Sequence, residues 1–221
     1  MMANLFIIFD PMTNIMNLSL NWLSYMFSIL FIPLNYWLIK FQFYYIYNFM
    51  MINLYNEYKL LMQHKLNILM FISLFMFIFL NNFMSLFPYI FNSTSHMSIN
   101  LNLSLPFWIS FMLYGWINKY QFMFAHMIPQ NTPFMLMSFM VLIETISNLI
   151  RPMTLSIRLM TNMIAGHLLL TLLGDSIYSL KNFFIILLMI QILLYMLELM
   201  VSMIQSYVFS ILLILYLKEV N

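Results

Sequence analysis

The sequence predicts an all-α integral membrane protein with about five membrane helices and one amphipathic helix along the membrane surface. Of its 221 residues, 64% are hydrophobic and only 6% are charged, whereas a soluble domain carries about 25% charged residues. Several apolar stretches are long enough to cross the roughly 30 Å hydrocarbon core of a bilayer. The net charge of +2 gives no indication of a nucleic-acid partner.

The first half of the chain divides into three predicted spans and a surface helix, all within a single multi-pass domain, residues 1–221. The spans cover residues 15–39, 66–88 and 106–127, and a Ser- and Asn-rich loop at 92–105 separates the last two. Residues 41–65 mix aromatic and polar side chains at helical spacing, which indicates a helix lying on the membrane. A polar loop is the alternative for this segment.

The distribution of lysines predicts the orientation of these spans. In the predicted arrangement four lysines fall on one side of the membrane: Lys40, Lys59, Lys65 and Lys119. By the positive-inside rule that side is the cytoplasm or the mitochondrial matrix. The N-terminus and the 92–105 loop are therefore expected on the opposite side.

Two long apolar stretches follow, at residues 133–173 and 180–217. About 40 helical residues at 1.5 Å each span about 60 Å, roughly twice the apolar thickness of a bilayer. We therefore expect two long, steeply tilted helices packed as a hairpin, with a turn near Gly174 and Asp175. The alternative is that each stretch divides into two short upright spans, with Pro152 as a candidate bend.

Charged residues recur in the first long stretch where charges are costly. Glu144, Arg151 and Arg158 are spaced seven residues apart, which places them on one helix face because seven residues are about two turns. Asn162 falls on the same stripe, whereas His167 points roughly the opposite way. A charge at the bilayer centre costs about 2.5–3.5 kcal/mol on insertion scales, so these side chains are expected to have partners or a function.

The second long stretch carries a matching polar stripe. Gln191, Glu198 and Gln205 are also seven residues apart. Two apolar helices that each carry a polar stripe can satisfy one another or line a hydrated path. A single-pass anchor has no need of such stripes.

These residues resemble a known family. Arg158-Leu159, Asn162 and Ala165-Gly166-His167 form an RLxxNxxAGH string, and Ile143-Glu144-Thr145-Ile146-Ser147 precedes it. The string resembles subunit a of rotary ATP synthases in its mitochondrial form. Three further stretches are similar to the same family: Gln205-Ser206-Tyr207-Val208-Phe209, the segment from Asn82-Phe83 to Phe87-Pro88, and the group His126, Pro129, Gln130, Thr132 and Pro133.

The resemblance implies a non-catalytic stator subunit of the F0 sector, in the mitochondrial inner membrane. It would provide two proton half-channels against a ring of c subunits that bear buried carboxylates, beside the peripheral stalk, other F0 subunits and lipid. Arg158 would separate the half-channels, since a guanidinium keeps its proton in proteins. A structural ion pair of Arg158 with Glu144 or Glu198 is the alternative.

By the same resemblance, Glu198 and His167 would belong to the half-channel open to the intermembrane space, and Glu144 to the matrix exit. Each has a structural alternative: a satisfied helix-contact histidine for His167, and a salt bridge with Arg151 for Glu144. Asn162 and Gln205 would hydrate the path or hold Arg158 in place, or only link helices by hydrogen bonds. Arg151 would pair with Glu144 or with a lipid headgroup.

Two other classes of function compete with this interpretation. A membrane subunit of a respiratory complex or a cation antiporter also buries ionisable residues, but the four histidines are too scattered to pair on a haem. An intramembrane hydrolase would need an HExxH or GxSxG motif, and neither string is present. The absence of cysteine excludes thiolate metal sites, and neither His64 nor His96 has a spaced partner for a metal site. The sequence therefore predicts neither a metal nor a cofactor.

Overall fold

The structure, a computed structural model, describes residues 5–13, 18–32, 42–62, 65–128, 133–179 and 183–220. Within these residues the chain forms seven α-helices and no strand: α1 (Leu23–Leu30), α2 (Gln42–Leu61), α3 (Lys65–Ser85), α4 (Met97–Asn118), α5 (Tyr120–His126), α6 (Met137–Ser179) and α7 (Phe184–Val220). Short 3-10 helices lie at Leu5–Phe9, Leu20–Trp22, Ser93–Ser95 and Phe134–Leu136.

Three helices in the described part of the chain are long and apolar enough to cross a membrane. The spans are Asn67–Ser85 in α3, Phe134–Ile177 around α6 and Phe184–Glu219 in α7. The apolar segment Leu20–Leu30, which includes α1, is shorter, and residues 15–17 and 33–39 of the predicted first span lie outside the described residues. The prediction of an all-α membrane protein is confirmed.

The two long stretches each form one continuous helix, which decides against their division into short spans. Pro152 lies inside α6 without ending it. The hairpin turn lies further along than predicted, because α6 continues through Gly174 to Ser179. A glycine inside a helix costs only about 1 kcal/mol relative to alanine, too little to end a helix of this length.

The third predicted span also differs in its limits. Its helix, α4, begins at Met97 rather than at Pro106, and it ends at Asn118, where Lys119 leaves helical geometry before α5. Asn100 is fully buried, and its amide nitrogen donates a 2.8 Å hydrogen bond to the Thr94 carbonyl oxygen. Polar residues that suggested a loop are therefore part of a packed helix face.

The centre of the fold is α3, which packs against α7, α2 and α1. In the most apolar 18-residue stretch of α3, 61% of the residues are buried, against 0% in that of α6 and 6% in that of α7. The core joins Ile68 and Phe71 of α3 to Phe209, Leu213 and Ile214 of α7. One side of α6 and α7 thus packs on the protein, and their other sides present long apolar faces outward.

The segment predicted as a surface helix forms α2, and polar contacts join α2 to α7. Tyr58 is fully buried, and its hydroxyl lies 2.5 Å from the Ser210 hydroxyl. The Tyr207 hydroxyl donates a 2.9 Å hydrogen bond to a carboxylate oxygen of Glu57. The polar-loop alternative is excluded over Gln42–Leu61, while the position of α2 relative to a bilayer stays a prediction.

The buried tyrosine of α2 gives a test of this attachment. Tyr58→Phe removes the hydroxyl but keeps the ring, so we expect the free energy of unfolding of the detergent-solubilised protein to fall by about 1 kcal/mol. Tyr55→Phe on the same helix is the matched control, because Tyr55 is only half-buried and its hydroxyl has no hydrogen bond to a described residue. Equal losses in the two variants would contradict the role of the Tyr58–Ser210 contact.

Candidate functional site

The guanidinium of Arg158 lies on the exposed flank of α6. Leu155, Leu159 and Met163, four residues apart, turn into the protein and are buried, which leaves Arg158 roughly 100° away from the inward direction. Its side chain is exposed and makes no hydrogen bond or ion pair with any described residue. The predicted alternative, a structural pair with Glu144 or Glu198, is therefore not formed.

A second polar group lies further along α6, where it faces α7. Four of the predicted site residues border one small cavity: Asn162 and His167 from α6, and Glu198 and Gln205 from α7. The cavity has a volume of about 20 Å³, which is enough for at least one water molecule. Of the polar stripe of α6 only Asn162 borders this cavity, and His167 joins it from outside the stripe. The stripe of α7 contributes Glu198 and Gln205, so the two stripes meet only in part.

Several polar atoms around this cavity are buried without a protein partner. Both carboxylate oxygens of Glu198, Nε2 of His167 and both amide atoms of Asn82 make no hydrogen bond to a described residue. Buried polar atoms in native proteins are nearly always paired with protein or water. Atoms left unpaired around a water-sized space are suited to hold water or to exchange a proton.

Gly166 allows the carboxylate of Glu198 to approach the backbone of α6. A Cβ atom at Gly166 would lie 2.9 Å from both the carboxyl carbon and Oε1 of Glu198, closer than real Cβ contacts. The lack of a side chain at Gly166 therefore leaves room for this carboxylate. The His167 side chain next to it reaches the same cavity from α6.

A much larger cavity, of about 1630 Å³, adjoins the small one. The side chain of His167 borders both, as does that of Leu86. The polar residues around the larger cavity come from the N-terminal segment, α1, α6 and α7: Asp10, Thr13, Asn21, Ser24, Thr171, Gln191 and Tyr195. A partly polar space thus extends from the described N-terminal segment to the wall formed by His167.

The third polar group lies at the other end of α6. Arg151 forms an ion pair with Glu144 at 3.8 Å and a direct one with Glu219, the penultimate described residue of α7. The carbon of its guanidinium lies 5.4 Å from the centre of the Tyr216 ring. The predicted Glu144–Arg151 salt bridge is present, and Glu219, which is not among the predicted partners of Arg151, is the closer one.

The site residues therefore form separate groups along α6. Arg158 follows Glu144 by fourteen residues and precedes His167 by nine, so it lies about 21 Å from the first and about 14 Å from the second along the helix axis. The structure brings together Asn162, His167, Glu198 and Gln205, and it leaves Glu144 apart from them. No group of His, Asp or Glu side chains in the described residues is arranged to hold a metal ion.

Sequence reasoning missed two members of these groups. Asn82, fully buried near the end of α3, lines the small cavity; a pair of asparagines closing an apolar span was the available signal. Glu219 was missed because it is far in sequence from Arg151, and only the packing of α7 against α6 brings the two together.

Comparison with known proteins agrees with this combination of an apolar helical fold and buried ionisable groups. A family model described as ATP synthase A chain matches residues 38–218. The chain is 56% identical to ATP synthase subunit a of Anopheles gambiae, 54% to that of Aedes aegypti and 55% to that of Drosophila melanogaster, in each case over the full length of both chains.

These similarities define the class of protein as a membrane subunit of the ATP synthase F0 sector. The chain belongs to the family of subunit a of the F-type ATP synthase. The alternatives of a respiratory-complex subunit and a cation antiporter are thereby set aside.

The close approach at Gly166 yields a prediction about the Glu198 carboxylate. Gly166→Ala forces this carboxylate to move, because the added methyl would overlap it, and the flexible side chain can move at little cost in stability. We expect the assembled synthase to keep its thermal stability but to lose at least half of its ATP synthesis rate.

The matched control is Gly174→Ala in the same helix, where an added Cβ meets no atom within 4 Å. It should leave the rate unchanged and stabilise the helix by up to about 1 kcal/mol. A Gly166→Ala variant as active as the control would show that the position of the carboxylate is unimportant.

Proposed function

We propose that this chain is the proton-translocating stator subunit of a mitochondrial rotary ATP synthase, and that it loads and unloads protons on the carboxylates of a c-subunit ring. The observation that carries the proposal is the exposed, unpaired guanidinium of Arg158 on an apolar helix, between two separate polar groups. The subunit performs no bond chemistry itself, and its partners are the ring, the peripheral stalk and other F0 subunits.

Arg158 supplies a permanent positive charge to the surface that faces the ring. A guanidinium does not lose its proton in a protein, so it favours the ionised form of a carboxylate that comes close to it. A ring carboxylate would therefore release its proton before it passes Arg158. The same charge opposes direct passage of a proton between the two half-channels.

The half-channel open to the intermembrane space would follow the two adjoining cavities. The larger cavity brings water from the N-terminal side to His167, and the small cavity continues past His167 to Glu198, Asn162 and Gln205. His167 and Glu198 can both accept and donate protons. Asn162, Gln205 and Asn82 would orient water along this path.

The exit toward the matrix would lie on the other side of Arg158, where Glu144 is about one-third exposed and reaches toward Arg151. A proton released from the ring would move past Glu144 to the matrix surface. The direction agrees with the orientation predicted from the lysines by the positive-inside rule. Lys59 and Lys119, two of the lysines on the predicted matrix side, are exposed. The membrane is then the mitochondrial inner membrane.

The unpaired arginine provides the principal test. We expect Arg158→Gln to abolish ATP synthesis and ATP-driven proton pumping by the assembled complex in membrane vesicles, because no fixed charge remains to discharge the ring carboxylates. Asp175→Asn is a suitable control, since it also removes one charge from an exposed position of α6. Normal pumping by Arg158→Gln would refute the proposed function.

The carboxylate at the small cavity provides a second test. Glu198→Gln retains the size and polarity of the side chain but cannot exchange a proton, so we expect the rate of proton-driven synthesis to fall by about 10²-fold, as when a proton-transferring side chain is removed. Glu198→Asp should recover part of the rate. The measurement is synthesis per assembled complex at a fixed proton gradient, and an unaffected rate in Glu198→Gln would remove Glu198 from the path.

A further inference from the structure

The two arginines of α6 have opposite environments, although they share a helix face. Arg151 contacts Glu219 directly, reaches Glu144 at 3.8 Å and lies against the Tyr216 ring. Arg158 has no such partner among the described residues. The two positive charges are seven residues apart, which is about 10 Å along the helix.

Arg151 is not hidden from a neighbouring protein. Its side chain is 31% exposed, and the seven-residue spacing puts it close to the direction in which Arg158 points. An unpaired Arg151 would therefore offer a second guanidinium to any carboxylate that moves along this surface. Such a charge attracts a carboxylate that comes within about 8 Å, the Debye length at physiological ionic strength.

We propose that Glu219, at the C-terminal end of α7, neutralises Arg151, so that α6 presents only one unpaired cation, Arg158, to the ring carboxylates. This inference rests on the proposed function. Glu219 acts as a positioning residue: it touches neither the ring nor the path of the proton, and it works by occupying Arg151.

Glu219 suits this role better than Glu144. Its carboxylate makes the direct hydrogen bond to the Arg151 guanidinium, at 2.5 Å, whereas the Glu144 carboxylate lies at 3.8 Å, beyond hydrogen-bond distance. Glu144 therefore remains able to exchange protons, because Glu219 makes the hydrogen bond to Arg151. The competing explanation is that the Arg151–Glu219 pair only fastens the end of α7 to α6.

Charge-removing variants at both positions separate these explanations, with ATP synthesis measured per assembled complex in membrane vesicles. Glu219→Gln frees Arg151, so we expect a two- to fivefold slower synthesis, roughly the range for a partly exposed ion pair. Arg151→Gln should retain more activity than Glu219→Gln. The double variant Arg151→Gln with Glu219→Gln should recover to the level of Arg151→Gln, and Glu219→Asp should recover most of the rate.

Lys218→Gln is the matched control, because it removes a charge from the neighbouring exposed position at the end of α7; it should behave as the unmodified protein. A fastening role predicts instead that both single variants and the double variant are equally impaired, in assembly or in rate, and that result overturns the proposal. The proposal is also overturned if Glu219→Gln is as active as the unmodified protein. It is overturned as well if Glu219→Gln fails to assemble and the double variant fails in the same way.

Arg158→Gln is measured in the same preparations. If that variant pumps normally, the proposed function itself fails. If Arg158→Gln is inactive and Glu219→Gln behaves as the unmodified protein, only the neutralisation of Arg151 is refuted.

Discussion

A permanent positive charge on an apolar helix surface is the constraint on which the arrangement of this protein depends. Arg158 cannot discard its proton and has no counter-charge among the described residues. Such a charge is costly in a lipid environment, and the cost is offset only when another molecule supplies an anion. The described part of the chain thus supplies no anion for this charge, and in the proposed function the ring carboxylates supply it.

The fold keeps this charge at the surface by burying the residues beside it. Leu155 and Leu159 belong to the core formed with α3 and α7. The helix face that carries Arg158 is therefore directed outward. The length of α6 also matters, because it separates the polar groups along the helix axis. A single α6 carries Glu144, Arg158 and His167 at widely separated depths, so one rigid element sets the spacing of all three polar groups.

Much of this arrangement can be predicted from sequence, because membrane helices impose strict patterns. The low content of charged residues identifies the class, and the seven-residue spacing predicts a shared face for Glu198 and Gln205, which do border one cavity. The spacing does not predict that Arg158 stays outside that cavity while His167 enters it. Helix limits are harder to predict: Pro106 and Gly174 resemble boundary signals, yet both lie inside helices. A boundary depends on the packing of the neighbouring turns, which local preference does not determine.

The pairing of specific acids with specific arginines cannot be predicted from the local sequence. Arg151 and Arg158 look equivalent along the helix, and the family motif alone distinguishes them. The structure separates them through Glu219, which lies in the last turn of α7 and contacts Arg151 about four turns into α6. The end of α7 is therefore more than a membrane anchor, since its length determines which acid reaches which arginine.

The ionisable groups at the small cavity differ from Arg158 in their surroundings. There the groups that can carry a proton are enclosed, and Gly166 lets the Glu198 carboxylate lie against the α6 backbone. A carboxylate held in place without a protein donor exchanges its proton with water more readily than one fixed in a salt bridge, because no ion pair stabilises its charged form. The two kinds of ionisable group are thus both unpaired among the described residues, and in the proposed function Glu198 changes its charge whereas Arg158 keeps it.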